Sequence, residues 1–206
     1  GDLGIGSTTD QSTPIQVGSD GWQSIDDGQD HSCGIRGNGT LWCWGYNVSG
    51  NLGDGTTIQR TAPVRVVGTT TWRKVTAAAD HTCALRSDDS LWCWGYNGNG
   101  ELGIGTTDDH LTPMLVDGAA TWTDISAGAY HTCGIRTDGS LWCWGDNTFG
   151  QLGDGTGDDR TRPVKVGTER WKAISSGAYF TCAIGTTDTR WCWGSNSQGQ
   201  LGTGTT

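Results

Sequence analysis

The chain has 206 residues, among them 35 Gly, 12 Trp, 8 Cys and a single Met, and its formal net charge is −9. Only 13 residues are basic and none form a run, which weighs against nucleic-acid binding, because that affinity rests on Lys and Arg neutralising phosphates. No stretch approaches the ~20 apolar residues of a membrane helix, no leader is visible, and Gly1 in place of Met reads as a mature or excised segment.

Taken in chain order, residues 1–21 (GDLGIGSTTDQSTPIQV and the turn after it) read as the back half of a repeat unit whose front half is missing. Trp22 opens the first complete unit, and Trp72, Trp122 and Trp171 open the next three, giving units 22–71, 72–121, 122–170 and 171–206 within one repeat domain. Each unit carries the same central string: HSCGIRGNGTLWCWGYN, HTCALRSDDSLWCWGYN, HTCGIRTDGSLWCWGDN and FTCAIGTTDTRWCWGSN. A GxLGxGTT-like segment follows in every unit, then in the first three a stretch ending APVRV, TPMLV or RPVKV. Residues 199–206 repeat the portion found at 1–8.

Four short β runs are predicted per unit: one after the opening Trp (WRKVT), then HTCALR, LWCWG and PVRVV. Clusters of Gly, Asp, Asn and Ser separate them, and no segment has helical periodicity. Four strands in roughly fifty residues is the pattern of a propeller blade, so the expected fold is all-β and propeller-like, with four blades of four antiparallel strands.

The central hairpin can be read residue by residue. A three-residue loop at Gly37-Asn38-Gly39 pairs Arg36 with Thr40, which sets Cys33 opposite Cys43 and Ile35 opposite Leu41. On the other face Trp42 falls across from Gly34 and Trp44 across from Ser32, so small residues face large rings. The register repeats with Cys83 and Cys93, then Cys133 and Cys143, then Cys182 and Cys192, where Arg190 replaces the Leu. Four cross-strand disulfides are expected, and with them an oxidising, extracellular or cell-surface location. Trp92, recurring opposite a small residue, is expected to be a core ring.

These strings resemble the repeats of the regulator of chromosome condensation family, over the whole chain and four times in succession. The resemblance is to its bacterial, Cys- and Trp-rich branch. It implies a seven-bladed propeller of about fifty residues per blade, of which this chain supplies four. It also implies functions as diverse as guanine-nucleotide exchange, β-lactamase inhibition and loop-based scaffolding, among which fold alone does not choose. The redundant ends predict an open arc whose terminal faces are covered by further repeats or another copy.

Chemistry-bearing patterns are few. The C-x9-C spacing lacks zinc knuckles and the thioredoxin C-x-x-C. His31, His81 and His131 recur at one position where the fourth unit has Phe180, which points to a structural or hydrogen-bonding role rather than metal. The glycine-rich segments have no helix after them and no P-loop Lys, so they read as turns, with Leu52, Leu102, Leu152 and Leu201 plugging the core. Asp54 and Asp154 have Ile5, Ile104 and Thr203 as equivalents, against a repeated calcium site. The paired acids Asp26-Asp27, Asp88-Asp89, Asp108-Asp109 and Asp158-Asp159 read as solubilising charge. Asn38-Gly39-Thr40 and Asn47-Val48-Ser49 match glycosylation sequons. No catalytic, cofactor or metal residue is assigned.

The variable loop tips carry the candidate contacts: Tyr46, Tyr96, Phe149, Arg60, His110 and Arg160. The function expected is a non-catalytic extracellular binding or scaffold module that grips a protein or glycan through these loops. A structural subunit of a longer array is the main alternative and a nucleotide-exchange factor the lesser one.

Overall fold

The computed structural model describes residues 1–68 and 70–206. Fifteen strands form four antiparallel sheets, and the described residues include no helix. The first sheet runs β1 (Trp22–Asp27), β2 (His31–Arg36), β3 (Leu41–Gly45) and β4 (Arg60–Arg65), in that spatial order. The second repeats it with β5 (Trp72–Ala77), β6 (His81–Arg86), β7 (Leu91–Gly95) and β8 (His110–Val116). The third has β9 (Trp122–Ala127), β10 (His131–Arg136), β11 (Leu141–Gly145) and β12 (Arg160–Val166). The fourth has three strands, β13 (Trp171–Ser176), β14 (Phe180–Gly185) and β15 (Arg190–Gly194).

The predicted hairpin register holds. Cys33 pairs with Cys43, Gly34 with Trp42, Ser32 with Trp44 and Ile35 with Leu41, and the three later hairpins follow suit. The Arg36 N–H donates to the Thr40 carbonyl across the three-residue loop. Its third position is left-handed in every unit, at Gly39, Asp89, Gly139 and Asp188. All eight cysteines are joined, 33 to 43, 83 to 93, 133 to 143 and 182 to 192.

Three expectations need correction. The fourth strand begins at Arg60, His110 or Arg160, before the predicted PVxV run, because a bulge beside Trp44 lets Gly45 pair with Arg60. It is the outer strand, which is why Pro63 is tolerated inside it. The fourth blade has three strands where four were expected, with no strand after β15 among the described residues, and residues 7–21, with the matching TPIQV, form none either. Finally, the ring seated on Gly34 is not Trp42 but Trp22 of β1: a Cβ there would come within 2.7 Å of the Trp22 ring, and Gly134 holds Trp122 in the same way. Trp42, Trp92 and Trp142 are only half-buried and lie beneath the guanidinium groups of Arg36, Arg86 and Arg136.

The core sits between units rather than within them. Cys33, Ile35, Leu41, Cys43, Leu52 and Val66 of the first unit pack against Trp72, Val75, Ala84 and Trp94 of the second, and the later joints repeat the arrangement. Inner strands β1, β5, β9 and β13 touch in succession, and the turns at 27–29, 77–79, 127–129 and 176–178 line one shared opening. The result is an open ring. Leu52, Leu102 and Leu152 are fully buried, as predicted, while Leu201 is half-buried.

Candidate binding face

Each joint is closed by one main-chain carbonyl that accepts two donors from the next unit. The Asn51 carbonyl takes the Trp94 indole N–H at 2.9 Å and the Thr82 hydroxyl at 2.8 Å. The Glu101 carbonyl does the same for Trp144 and Thr132, the Gln151 carbonyl for Trp193 and Thr181, and the Asp2 carbonyl for Trp44 and Ser32. The indole can approach because Gly53 carries no side chain: a Cβ there would lie 2.7 Å from Trp94 Nε1, and its φ of +63° suits glycine. Inner-strand caps add to each joint, with the Ala77, Ala127 and Ser176 N–H groups donating to Asp26, Thr76 and Ser126 side chains.

The glycine-rich loops are held from beneath by Asn47, Asn97 and Asn147, all fully buried. Asn47 Nδ2 donates to the Thr56 and Ile58 carbonyls while its Oδ1 accepts from Leu52 N–H, so the amide of this sequon is committed inside the fold. Asn38 is exposed and its Oδ1 accepts from the Thr40 N–H and hydroxyl.

Several acids read as solubilising charge have local structural partners. Asp26 caps the joint, and burial raises its carboxyl above the ordinary value. Asp88 accepts from Ser90 in the hairpin turn, and Asp109 and Asp159 accept the Asn97 and Asn147 N–H groups. Burial alone would raise Asp54, yet the Thr56 hydroxyl and the Arg60 guanidinium hold it below its usual value, and Asp154 is held likewise by Thr156 and Arg160.

Of the sequence-predicted contacts, Arg60, His110 and Arg160 open β4, β8 and β12 rather than lying in loops. Arg60 and Arg160 each pair at 2.7 Å with a nearly buried Asp. Tyr46 and Tyr96 are half-buried, and Phe149 is 53% exposed. Phe149 lies 5.4 Å, edge-on, from Tyr179, which is itself 5.9 Å from Tyr130. Burial raises the Tyr96 and Tyr130 hydroxyls, and so does the charge of nearby Asp80 and Glu101. The loops of units 2 to 4 therefore present tyrosine and phenylalanine rings beside carboxylates.

Tyr130 and Tyr179 escaped the sequence reading. Their signal was that the residue before His131 and Phe180 is Asp in the first two units (Asp30, Asp80) and Tyr in the last two. Glu101 is a further surprise. It is buried where other units carry Asn51, Gln151 and Gln200, and that burial raises its carboxyl to about 7 despite hydrogen bonds from the Asn99 N–H and side-chain amide. Among the described residues no three His, Cys, Asp or Glu side chains gather as a metal site. His31, His81 and His131 instead contact Thr82, Thr132 and Thr181 across the joints.

Comparison with known proteins places this geometry. The crystal structure of human WBSCR16 superposes with a TM-score of 0.83 at 19% identity, covering 97% of this chain and 56% of that one. Prp20p from Saccharomyces cerevisiae, whose structure was described with its binding properties to Gsp1p and histones, gives 0.83 at 20% identity over 95% and 51%. The CRINKLY WD40 ectodomain of the Arabidopsis thaliana receptor kinase ACR4 gives 0.52 at 24% identity over 82% and 50%. The chain thus spans about half the length of these proteins, and at such identities the likeness shows the fold alone. No curated protein matches it in sequence. A model described as the regulator of chromosome condensation (RCC1) repeat matches residues 24–51, 72–101, 122–151 and 171–200, and a second of the same description matches 38–85, 88–135 and 138–184. The matched segments cover more than half of the sequence, once in every unit, and the chain belongs to the RCC1 repeat family.

Proposed function

We propose that this chain is a non-catalytic, extracellular binding module that grips a protein partner through its loop face. The observation that carries the reading is the Phe149–Tyr179–Tyr130 file of rings, standing on joints fixed by buried hydrogen bonds and braced by four disulfides. Aromatic side chains on a rigid scaffold supply contact area at low entropic cost. Disulfides persist in oxidising compartments, which supports a location outside the cell. A protein partner is favoured over a glycan by analogy with Prp20p and its described binding to Gsp1p and histones.

Selection of a displayed peptide library against the parent chain tests this. Ligands that lose about tenfold or more in affinity on Phe149→Ala with Tyr179→Ala support it. Ligands indifferent to both substitutions overturn it.

A second reading is favoured by the terminal sheets. Ile25 is 58% exposed and Ile184 38%, whereas the matching Ile125 and Ile135 inside the array are 1% and 2% exposed. These faces fit a further repeat or another copy, and sedimentation of the chain at rising concentration distinguishes association from a monomer.

A further inference from the structure

In three of the four units an arginine is stacked on two indoles. The Arg36 guanidinium carbon lies 3.7 Å from the centre of the Trp42 ring and 5.1 Å from Trp22. Arg86 lies 3.5 and 5.1 Å from Trp92 and Trp72, and Arg136 lies 3.8 and 5.0 Å from Trp142 and Trp122. In the first unit a carboxylate two residues before the opening Trp completes the seat, Asp20 at 3.0 Å from Arg36.

The fourth unit keeps the seat and lacks the cation. Gly185 pairs with Trp171 where Arg36 pairs with Trp22. Trp191 is anchored like its equivalents, its indole N–H donating to Thr189 as that of Trp42 donates to Thr40. Glu169 stands two residues before Trp171, at the place of Asp20, and makes no ion pair among the described residues. No cation–π contact reaches Trp171 or Trp191 among the described residues. A cavity of about 250 Å³ opens there, lined by Trp171, Trp191, Trp193 and Glu169, and Trp191 is 52% exposed.

Among the described residues, unit 4 lacks two neighbours that its equivalents have: the stacked arginine, and the outer strand whose Arg65, Leu115 and Lys165 pair with Trp42, Trp92 and Trp142. The matching Trp92 and Trp142 pack toward the preceding unit, not the following one, so a following unit does not fill the arginine's place.

We infer that the Trp171–Trp191–Glu169 pocket is a binding site for the guanidinium of an arginine side chain supplied by a partner polypeptide. Three internal copies show which group fits the two indoles, and the first shows it paired with a carboxylate at the place of Glu169. A planar guanidinium stacks on indole faces and pairs with carboxylate at once, which a neutral side chain of the same shape cannot do. The site lies at the joint of units 3 and 4, apart from the Phe149–Tyr179 loop face, and stands or falls independently of it.

The test uses the full chain with its tryptophans labelled with ¹⁵N, the Trp191 indole signal being assigned by its loss in Trp191→Phe. Acetyl-Gly-Arg-Gly-amide should move that signal saturably in the millimolar range expected of a single side chain, while the citrulline counterpart leaves it in place. Gly185→Arg fills the seat from within: φ at Gly185 is not left-handed, and a Cβ there meets Thr189 Oγ1 at 3.1 Å. This variant should show a displaced Trp191 signal and a response to the peptide weakened about tenfold or more. Glu169→Gln, an exposed position, should weaken the response several-fold. Equal movement by citrulline, an unchanged response in both variants, or no movement with the arginine peptide overturns the assignment.

Discussion

His81 Nε2 lies 2.8 Å from Thr132 Oγ1, across the joint between two units. The Thr132 hydroxyl donates its only proton to the Glu101 carbonyl, so it must accept from the imidazole, which fixes the Nε2–H tautomer and leaves Nδ1 a bare acceptor. His31 with Thr82 and His131 with Thr181 repeat the arrangement, and all three Nδ1 atoms are buried without a partner.

This geometry predicts acid sensitivity. Burial lowers His31 and His131 to about 4 and His81 to about 3, from the ordinary 6.5. The unfolded chain therefore takes up protons that the folded chain refuses, and the contribution of these three histidines to stability is full above pH 6.5 and is lost as pH drops from there toward 4. His131→Phe borrows the residue of the fourth unit, Phe180, and should flatten that fall by roughly a third, since it removes one of three such groups. Denaturant midpoints measured between pH 7 and 4 check it, and an unchanged slope counts against the tautomer reading.

Glu101 has the opposite sign. Its carboxyl is raised by burial from 4.5 to about 7, so the folded state holds a proton that the unfolded chain has lost, and stability declines as pH rises from about 4.5 to 7. Glu101→Gln takes the side chain of Gln151, whose Oε1 accepts the Phe149 N–H. We expect the variant to match the parent near pH 4 and exceed it by on the order of 1–3 kcal/mol at pH 8. Chemical melts at the two pH values decide the matter.

The two tryptophans of one LWCWG string should differ in weight. Trp94 is fully buried and its N–H closes the joint, whereas Trp92 is half-buried beneath Arg86. Trp94→Ala should cost about 3–5 kcal/mol, and Trp92→Ala less than half as much. Equal losses would show that the guanidinium-covered ring carries as much of the core as the joint ring does.

Mass spectrometry without reductant should find four linked pairs and no alkylated thiol. Replacing Cys133 and Cys143 together by Ser should lower stability by about 2–3 kcal/mol, the chain-entropy value for so short a loop. A larger loss would place the excess in packing at the buried joint, where both cysteines are fully enclosed.

The repeat, the hairpin register and the disulfides were legible because each followed from spacing: a three-residue turn allows one pairing, and four copies agree. The seat of the opening Trp and the joints were not. Trp22 sits over Gly34 from a neighbouring strand, and the Asn51 carbonyl serves Trp94 of the next unit, so neither partner is near in sequence. The acids at Asp26 and Asp109 looked like free charge because a side chain accepting a main-chain N–H leaves no pattern of its own. At the candidate site Phe149 was visible as an apolar residue in a polar loop, whereas Tyr130 and Tyr179 were masked by the constant string beside them.

The acceptor that closes each joint is a carbonyl of the main chain, and every residue has one. These bonds therefore require no particular side chain at that position, and the residue varies through Asp2, Asn51, Glu101 and Gln151 while the bonds from the next unit stay the same. The two carbonyl bonds are thus indifferent to the lettering at their own contact point. A duplicated period would meet the array through the bonds already present, and could diverge in its loops from the first generation without weakening the seam that holds it.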